Sequence, residues 1–297
     1  MQTSILSEPH VTPIGMSRYT PPSSQLLKWI GNKQKFAREI TSYFPTDMRR
    51  YIEPFLGSGA VLATVAPKAG LGSDAFKPLV EIWQMLSANP DGLIEWYAER
   101  RALLGSMTKE EAYLKVRANY NANPNGADFL FLTRTCYGGV VRFRKADGFM
   151  STPCGAHTPI PSEKFAKRAH EWGTRMKDSR FEHLDYREAF DLARRGDFIY
   201  CDPPYSHSQT ILYGAQAFKL QELFAAIDKA KSKGVRVALS IDGTKKSGDV
   251  HCAINAPDAL FERELYIDGG RSMLKRFQME GNTLEAEVVS DRLLLSY

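Results

Sequence analysis

The chain has no paired or clustered cysteines. Its four, Cys136, Cys154, Cys201 and Cys252, show no CxxC spacing and no histidine cluster beside them. A zinc site or disulfide framework is excluded on spacing, and free thiols are expected. No apolar run approaches the roughly 20 residues that span a bilayer. The N-terminus lacks a basic stretch followed by an apolar one, so neither export nor membrane insertion is indicated and a cytoplasmic location is expected. Internal repeats are absent. Charge of one sign is also missing: 39 Lys and Arg against 34 Asp and Glu leave +5, which permits a polyanionic partner without establishing one. At 297 residues the chain has room for one large domain, or a core with an inserted module.

What is present centres on Asp197-Phe198-Ile199-Tyr200-Cys201-Asp202-Pro203-Pro204-Tyr205. A short apolar run ends in a carboxylate, two prolines and an aromatic ring, which reads as a buried strand delivering a rigid polar loop to a sheet edge. Proline has no N–H, so the loop carbonyls are left to accept hydrogen bonds from another molecule. Asp202 adds a second acceptor and Tyr205 a stacking face. Together they describe a grip on a planar exocyclic amine.

Residues 1 to 24, with Pro9, Pro13, Pro21 and Pro22 among serines and threonines, read as a flexible arm. Gly31-Asn32 suggests a turn, and the Phe36, Ala37, Ile40 spacing a helix. Taken alone, Trp29 and Lys33 are a packed aromatic beside a solvated lysine. Arg50 to Leu62 reads as a strand running into Gly57-Ser58-Gly59 and then an apolar helix, where small residues let a ligand approach the backbone at a sheet's carboxyl edge. The third glycine of a dinucleotide fingerprint is missing, because that position is Leu62. A pyrophosphate cradle, and with it a nicotinamide-dependent oxidoreductase, is thereby disfavoured. Gly70 to Asp74 reads as a second strand, and Asp74 either caps the following helix or accepts from ribose hydroxyls.

From Phe76 to about Asn123 the pattern is helical, and Ala127 to Thr135 continues as an apolar helix. Tyr137 to Phe149 then interleaves Arg142, Arg144 and Lys145 with aromatics and glycines. This is a β-hairpin or loop, either solvated or able to reach phosphates and bases. Later stretches predict a helix over Phe165 to Met176 and a return to the sheet at Phe181 to Tyr186. Ser206 to Gly214 reads as a flap and Phe218 to Ala230 as a helix. Val235 to Ile241 reads as a buried strand followed by a polar loop over Asp242 to Gly248. Final strands over Leu260 to Ile267 and Val288 to Tyr297 bracket a hairpin carrying Arg271, Lys275 and Arg276. The alternation predicts an α/β fold with a mostly parallel sheet. The expected catalytic domain covers 25–79 and 159–297, with 80–158 inserted as a separate lobe.

The loop Pro54-Phe55-x-Gly57-x-Gly59 together with Asp202-Pro203-Pro204-Tyr205 resembles the amino-methyltransferases that use S-adenosylmethionine. With Lys28-Trp29-x-Gly31-x-Lys33 ahead and an insertion between, the order resembles the Dam-like DNA adenine-N6 methyltransferases, and the likeness runs from about residue 25 to the end. Within the insertion, Phe131-Leu132-Thr133-Arg134, Tyr137, Gly139, Arg142 and Gly148-Phe149 are similar to that family's recognition segment, and Asp291 to Tyr297 to its last strand. The family usually has Asn-Arg at Thr133-Arg134, Tyr-Asn-Gly at Tyr137-Gly138-Gly139, and Ser-Asn at Ser240-Ile241, so the contacts of those asparagines are not carried over.

The resemblance implies a methyltransferase-type sheet with helices on both faces and a mainly helical recognition lobe. It implies S-adenosylmethionine across Pro54, Phe55, Gly57, Ser58 and Gly59, with Asp74 on the ribose and Asp185 near the adenine end. Trp29, Gly31 and Lys33 would close the methionine end. Asp202, Pro203, Pro204 and Tyr205 would hold an adenine flipped out of double-stranded DNA, while Arg134, Tyr137, Arg142, Arg144 and Lys145 contact DNA. S-adenosylhomocysteine would be the product, and no metal is required. A monomer is expected, with a cognate restriction endonuclease as a functional partner. The readings it competes with are an amino-methyltransferase for RNA, protein or cytosine N4, and an inactive DNA-binding module.

Overall fold

The computed structural model describes residues 19–204, 218–245, 250–251, 256–271 and 288–297, with side chains left aside at 242–245, 250–251, 268–271 and 288–290. Eight strands form one sheet: β1 (Tyr51–Glu53), β2 (Gly70–Asp74), β3 (Ser179–His183), β4 (Phe198–Cys201), β5 (Arg236–Lys245), β6 (Val250–His251), β7 (Arg263–Arg271) and β8 (Val288–Leu295). The order is β3-β2-β1-β4-β5-β8-β7, with β6 added against the end of β5. Strands β3 through β5 are parallel to one another, while β8 and β7 run antiparallel at the far side. The strand order reverses between β1 and β4, the point at which an open α/β sheet splits its crossovers and leaves a crevice.

Strand β4 reads Phe-Ile-Tyr-Cys and is buried throughout, as a central parallel strand covered on both faces must be. Alternation sends Tyr51, Phe198 and Tyr200 to one core and Ile52, Ile199 and Cys201 to the other. The second core lies under α8 (Tyr186–Asp191) and α9 (Leu220–Ser232). The first is larger and takes in α1 (Ala37–Ser42), α2 (Ala60–Val65), α3 (Lys77–Ala88) and α7 (Ser162–Met176). It also takes in the inserted helices α4 (Pro90–Ala102), α5 (Lys109–Ala122) and α6 (Gly126–Thr135).

Two expectations change and one narrows. The N-terminal arm is tied down from residue 20 onward. Arg175 donates to the Thr20 carbonyl, Ser23 donates through N–H and hydroxyl to Glu171, and the Trp172 indole N–H donates to the Ser24 carbonyl. Residues 1–18 lie outside the described range. The loop expected from Asp242 begins later, because β5 runs to Lys245 by pairing with both β8 and β6. The segment after Tyr137, expected as a β-hairpin or loop, is a loop closed by two isolated antiparallel bridges, Cys136 with Cys154 and Phe143 with Met150. The flap at 206–214, Cys252, Lys275 and Arg276 lie outside the described residues. Among the described residues no helix is long and apolar enough to cross a membrane.

Candidate functional site

The carboxyl ends of four adjacent parallel strands meet one cleft of about 430 Å³, large enough for a nucleoside-sized ligand. Strand β1 contributes Glu53 and the loop Pro54 to Ser58, and β2 contributes Asp74. The turn after β3 brings Asp185, and β4 brings Asp202 and Pro204. The segment ahead of α1 closes the cleft with Trp29, Gly31 and Lys33.

Local rules explain why each part sits there. Pro203 cannot donate to a ladder, so β4 stops at Cys201 and Asp202 is released at its tip. Gly57 has φ +46, and a Cβ there would sit 3.0 Å from the Trp29 indole nitrogen. The loop can pass Trp29 only without a side chain. Asp74 holds that loop: the Gly57 N–H donates to Oδ2 at 3.0 Å and the Phe76 N–H to Oδ1 at 3.0 Å. Asp74 thus ties off the turn ahead of α3 without capping the helix, and it also lines the cleft. Burial, partly offset by those amides, pushes its pKa up to about 6. Asp185 N-caps α8 in a capping box with Glu188 and accepts from the Arg187 N–H.

Lys33 is buried rather than solvated. Its ammonium is 3.1 Å from Asp202 Oδ1 and 3.0 Å from Asp291 Oδ2. Burial would lower its pKa, but the two carboxylates together outweigh burial and hold the pKa above the usual lysine value. Cys201 points into the opposite core, and burial pushes its thiol far up, so it is no nucleophile.

Gly59 and Pro203 do not line the cleft. Gly59 N-caps α2 with φ +62, and a Cβ there would meet the Met176 methyl at 2.9 Å, so its smallness serves the core. Tyr205 lies outside the described residues. Sequence reasoning missed Glu53, which lines the cleft and accepts from the Tyr51 hydroxyl at 2.6 Å, and whose pKa is pushed well above the usual carboxylate range, chiefly by burial. It also missed Tyr186 and Phe218, which join Phe55, already a candidate, in an aromatic wall. The Phe55 and Tyr186 rings stack at 5.2 Å, and Phe218 stands edge-on to Phe55 at 5.7 Å. The signal was available in part, since Glu53 ends a strand aimed at the same edge as Asp202.

The insertion corrects one residue. Arg134 is buried, donates to the Leu26 carbonyl and lies 5.8 Å over the Phe165 ring, and burial lowers its pKa to about 10. It cannot also reach a phosphate, because every residue of α6 is buried. Tyr137, Arg142, Arg144 and Lys145 are exposed on the loop beyond α6. That loop is anchored to α5 through the Met150 N–H on Asn121 and the Tyr113 hydroxyl on the Thr152 carbonyl, both 2.7 Å. Arg144 pairs with Asp147 at 2.7 Å and covers Phe149 at 4.2 Å. Among the described residues there is no cluster of three metal-ligating side chains.

A sequence model of the D12 class N6 adenine-specific DNA methyltransferases matches residues 29–268. A DNA adenine methylase of Haemophilus influenzae is 28% identical over 81% of this chain and 82% of its own length. A DNA adenine methylase of Vibrio cholerae is 27% identical over 72% of this chain and 79% of its own. The type II methyltransferase M.MjaIII of Methanocaldococcus jannaschii is 30% identical over 60% and 68%.

Proposed function

The chain belongs to the D12 class of N6 adenine-specific DNA methyltransferases, and from that premise we propose that its cleft holds S-adenosylmethionine beside a flipped-out adenine gripped by Asp202. The enzyme methylates adenine N6 in DNA. The observation that carries the detailed reading is the setting of Asp202: a carboxylate at the tip of β4, in the cleft, oriented by buried Lys33 and followed by two prolines.

The residues present fit the donor. The Gly57-Ser58 turn offers close backbone approach, Asp74 an acceptor for ribose hydroxyls, and Phe55, Tyr186 and Phe218 apolar faces for a purine near Asp185. The Tyr186 hydroxyl is buried with no protein partner among the described residues, a polar atom that a bound ligand can satisfy. Trp29, Gly31 and Lys33 close the opposite part. Bound there, S-adenosylmethionine supplies an electrophilic methyl and leaves as S-adenosylhomocysteine.

The protein's contribution is positioning. Asp202 accepts from the exocyclic amine of adenine, drawing the nitrogen out of conjugation with the ring and turning its lone pair towards the methyl. Lys33 fixes the Asp202 carboxylate so that this geometry precedes substrate binding. Extracting the base from a duplex costs a few kcal/mol, which stacking on Tyr205 offsets in part. Residues 80–158 act as the target-recognition part, with Arg142, Arg144 and Lys145 on phosphates or guanine edges and Tyr137 as a wedge where the adenine leaves. The protein acts as a cytoplasmic monomer. A restriction endonuclease partner agrees with the type II relative.

The test uses labelled S-adenosylmethionine and duplex DNA, followed by identification of the methylated base. Asp202→Ala should lower turnover by about 10²–10³-fold with donor binding retained. Undiminished turnover would remove Asp202 from the mechanism, and a product other than N6-methyladenine in DNA would overturn the substrate reading.

A further inference from the structure

Cys136 and Cys154 face each other across the mouth of the loop that carries Tyr137, Arg142, Arg144 and Lys145. Cys136 follows the end of α6, Cys154 lies on the return, and both thiols are free. The Tyr137 N–H donates to the Pro153 carbonyl at 2.9 Å and the Gly155 N–H to the Thr135 carbonyl at 2.8 Å, so hydrogen bonds flank the two cysteines and none joins them. That is the non-hydrogen-bonded type of antiparallel pair. In such a pair the Cα atoms lie about 4.5 Å apart with both side chains on one face, inside the roughly 4.4–6.8 Å that a disulfide spans. Gly155 makes the close approach possible, since a Cβ there would sit 2.7 Å from the Cys136 carbonyl oxygen and 2.9 Å from that of Thr135. Cys201, by contrast, is sealed in the opposite core.

We propose that Cys136 and Cys154 form a reversible disulfide when the protein meets a low-molecular-weight disulfide such as oxidised glutathione, stapling the mouth of the loop without moving it. The partly exposed Cys154 reacts first: its thiolate attacks one sulfur of the oxidant, a bond from Cys154 Sγ to glutathione forms, and one glutathione leaves as thiolate. The Cys136 thiolate then attacks Cys154 Sγ and expels the second glutathione. Two protein thiols give up two protons and two electrons, and the oxidant departs as two thiols. Proximity drives the step, not intrinsic reactivity. Burial pushes the Cys136 thiol up to about 12, offset only in part by backbone amides and the Lys28 charge, and it raises Cys154 against the charge of Lys109. The staple therefore forms slowly and answers sustained oxidation. Bond formation stands on this geometry alone. Its consequence rests on the proposed function: the loop is held in its DNA-facing conformation, so methylation persists in the oxidised form.

The test equilibrates the full chain with reduced and oxidised glutathione, traps remaining thiols by alkylation, and maps every cysteine by peptide mass spectrometry in the wild type, Cys136→Ala and Cys154→Ser. The wild type should give a cross-link of Cys136 to Cys154 that dithiothreitol reverses. Cys136→Ala should stop with glutathione on Cys154, and Cys154→Ser should leave buried Cys136 unmodified. A wild type that retains glutathione on Cys154, stays reduced throughout, or joins either cysteine to Cys252 overturns the proposal. Should Cys136→Ala fail to melt cooperatively, the wild type and Cys154→Ser decide the matter by the same map. The cross-linked form should melt roughly 5–10 °C above the reduced one, as closing a loop of this length implies, with turnover on duplex DNA unchanged. A melting temperature that does not rise, or a loss of turnover that dithiothreitol reverses, would show that the bond distorts the loop and would overturn the staple. Turnover absent from both forms refutes the proposed function instead, and the cross-link map still decides whether the pair joins.

Discussion

Asp74 ties the Pro54-to-Ser58 loop to the turn ahead of α3 with the two oxygens of one side chain, and only the ionised form accepts fully on both. Its pKa of about 6 lies above the unfolded aspartate value of about 3.9, so the folded chain holds a proton that the unfolded chain has released. By linkage, stability from this group is highest below about pH 4 and falls as pH rises towards 6. The clamp behaves in the opposite sense. As pH falls through about 6 the carboxyl protonates, one oxygen stops accepting, and either Gly57 or Phe76 loses its partner. Affinity for S-adenosylmethionine is therefore expected to decline below about pH 6 in titration calorimetry from pH 5 to 8. Asp74→Asn should show weaker binding without that inflection. An inflection that survives in Asp74→Asn would place the titrating group elsewhere.

At the scale of elements, α6 decides what Arg134 can do. The helix is buried on every side, and Arg134 near its end joins it to the segment entering at Leu26 and to α7 through Phe165. Arg134→Ala is expected to cost about 1.5–3 kcal/mol in chemical denaturation, the range for a hydrogen bond involving a charged group, without changing the salt slope of DNA binding. Arg142→Ala, on the exposed loop, should leave stability within about 0.5 kcal/mol and reduce the slope of log affinity against log salt by about 1.

The contrast marks how far sequence carries. The resemblance assigns both arginines to DNA, but Arg134 falls in the apolar helix and Arg142 in the basic aromatic stretch after it; Phe129-Leu130-Phe131-Leu132 has no polar face, and a helix that is apolar all round is a buried one. Read that way, Arg134 was already excluded from the surface. The strands, glycine loop and Asp202 tip were legible because short apolar runs punctuated by glycine and proline encode them locally. The pairing of Lys33 with Asp291 was not, because strand order, not periodicity, brings β8 beside β5. Glu53 was hidden for another reason: its raised pKa follows from a dry environment that three-dimensional packing creates.

At the scale of the whole molecule, the insertion does not keep a core of its own. Trp83 of α3 stacks on Trp172 of α7 at 5.7 Å, and Tyr97 of α4 stacks on Phe165 of α7 at 4.2 Å. Through these rings the buried residues of α4, α5 and α6 join those beneath β1 and β4 in one continuous apolar cluster. Helix α7 therefore belongs to both parts: it leads back to β3 while its apolar face fills the space between the lobe and the sheet. Cutting the chain between them would expose both sides of that contact, and side chains of this size are each worth about 1.5–3 kcal/mol when buried. The wild type is thus expected to unfold in one transition, with calorimetric and van't Hoff enthalpies equal. A fragment of residues 77–160, which lacks α7, should give no cooperative melt. Two resolved transitions in the intact chain would show that the recognition part is an independent domain, free to reorient on DNA. A single transition makes the Asp202 tip and the exposed loop beyond α6 parts of one cooperative unit, so on the proposed function the fold, rather than an independently folding lobe, sets the register between them.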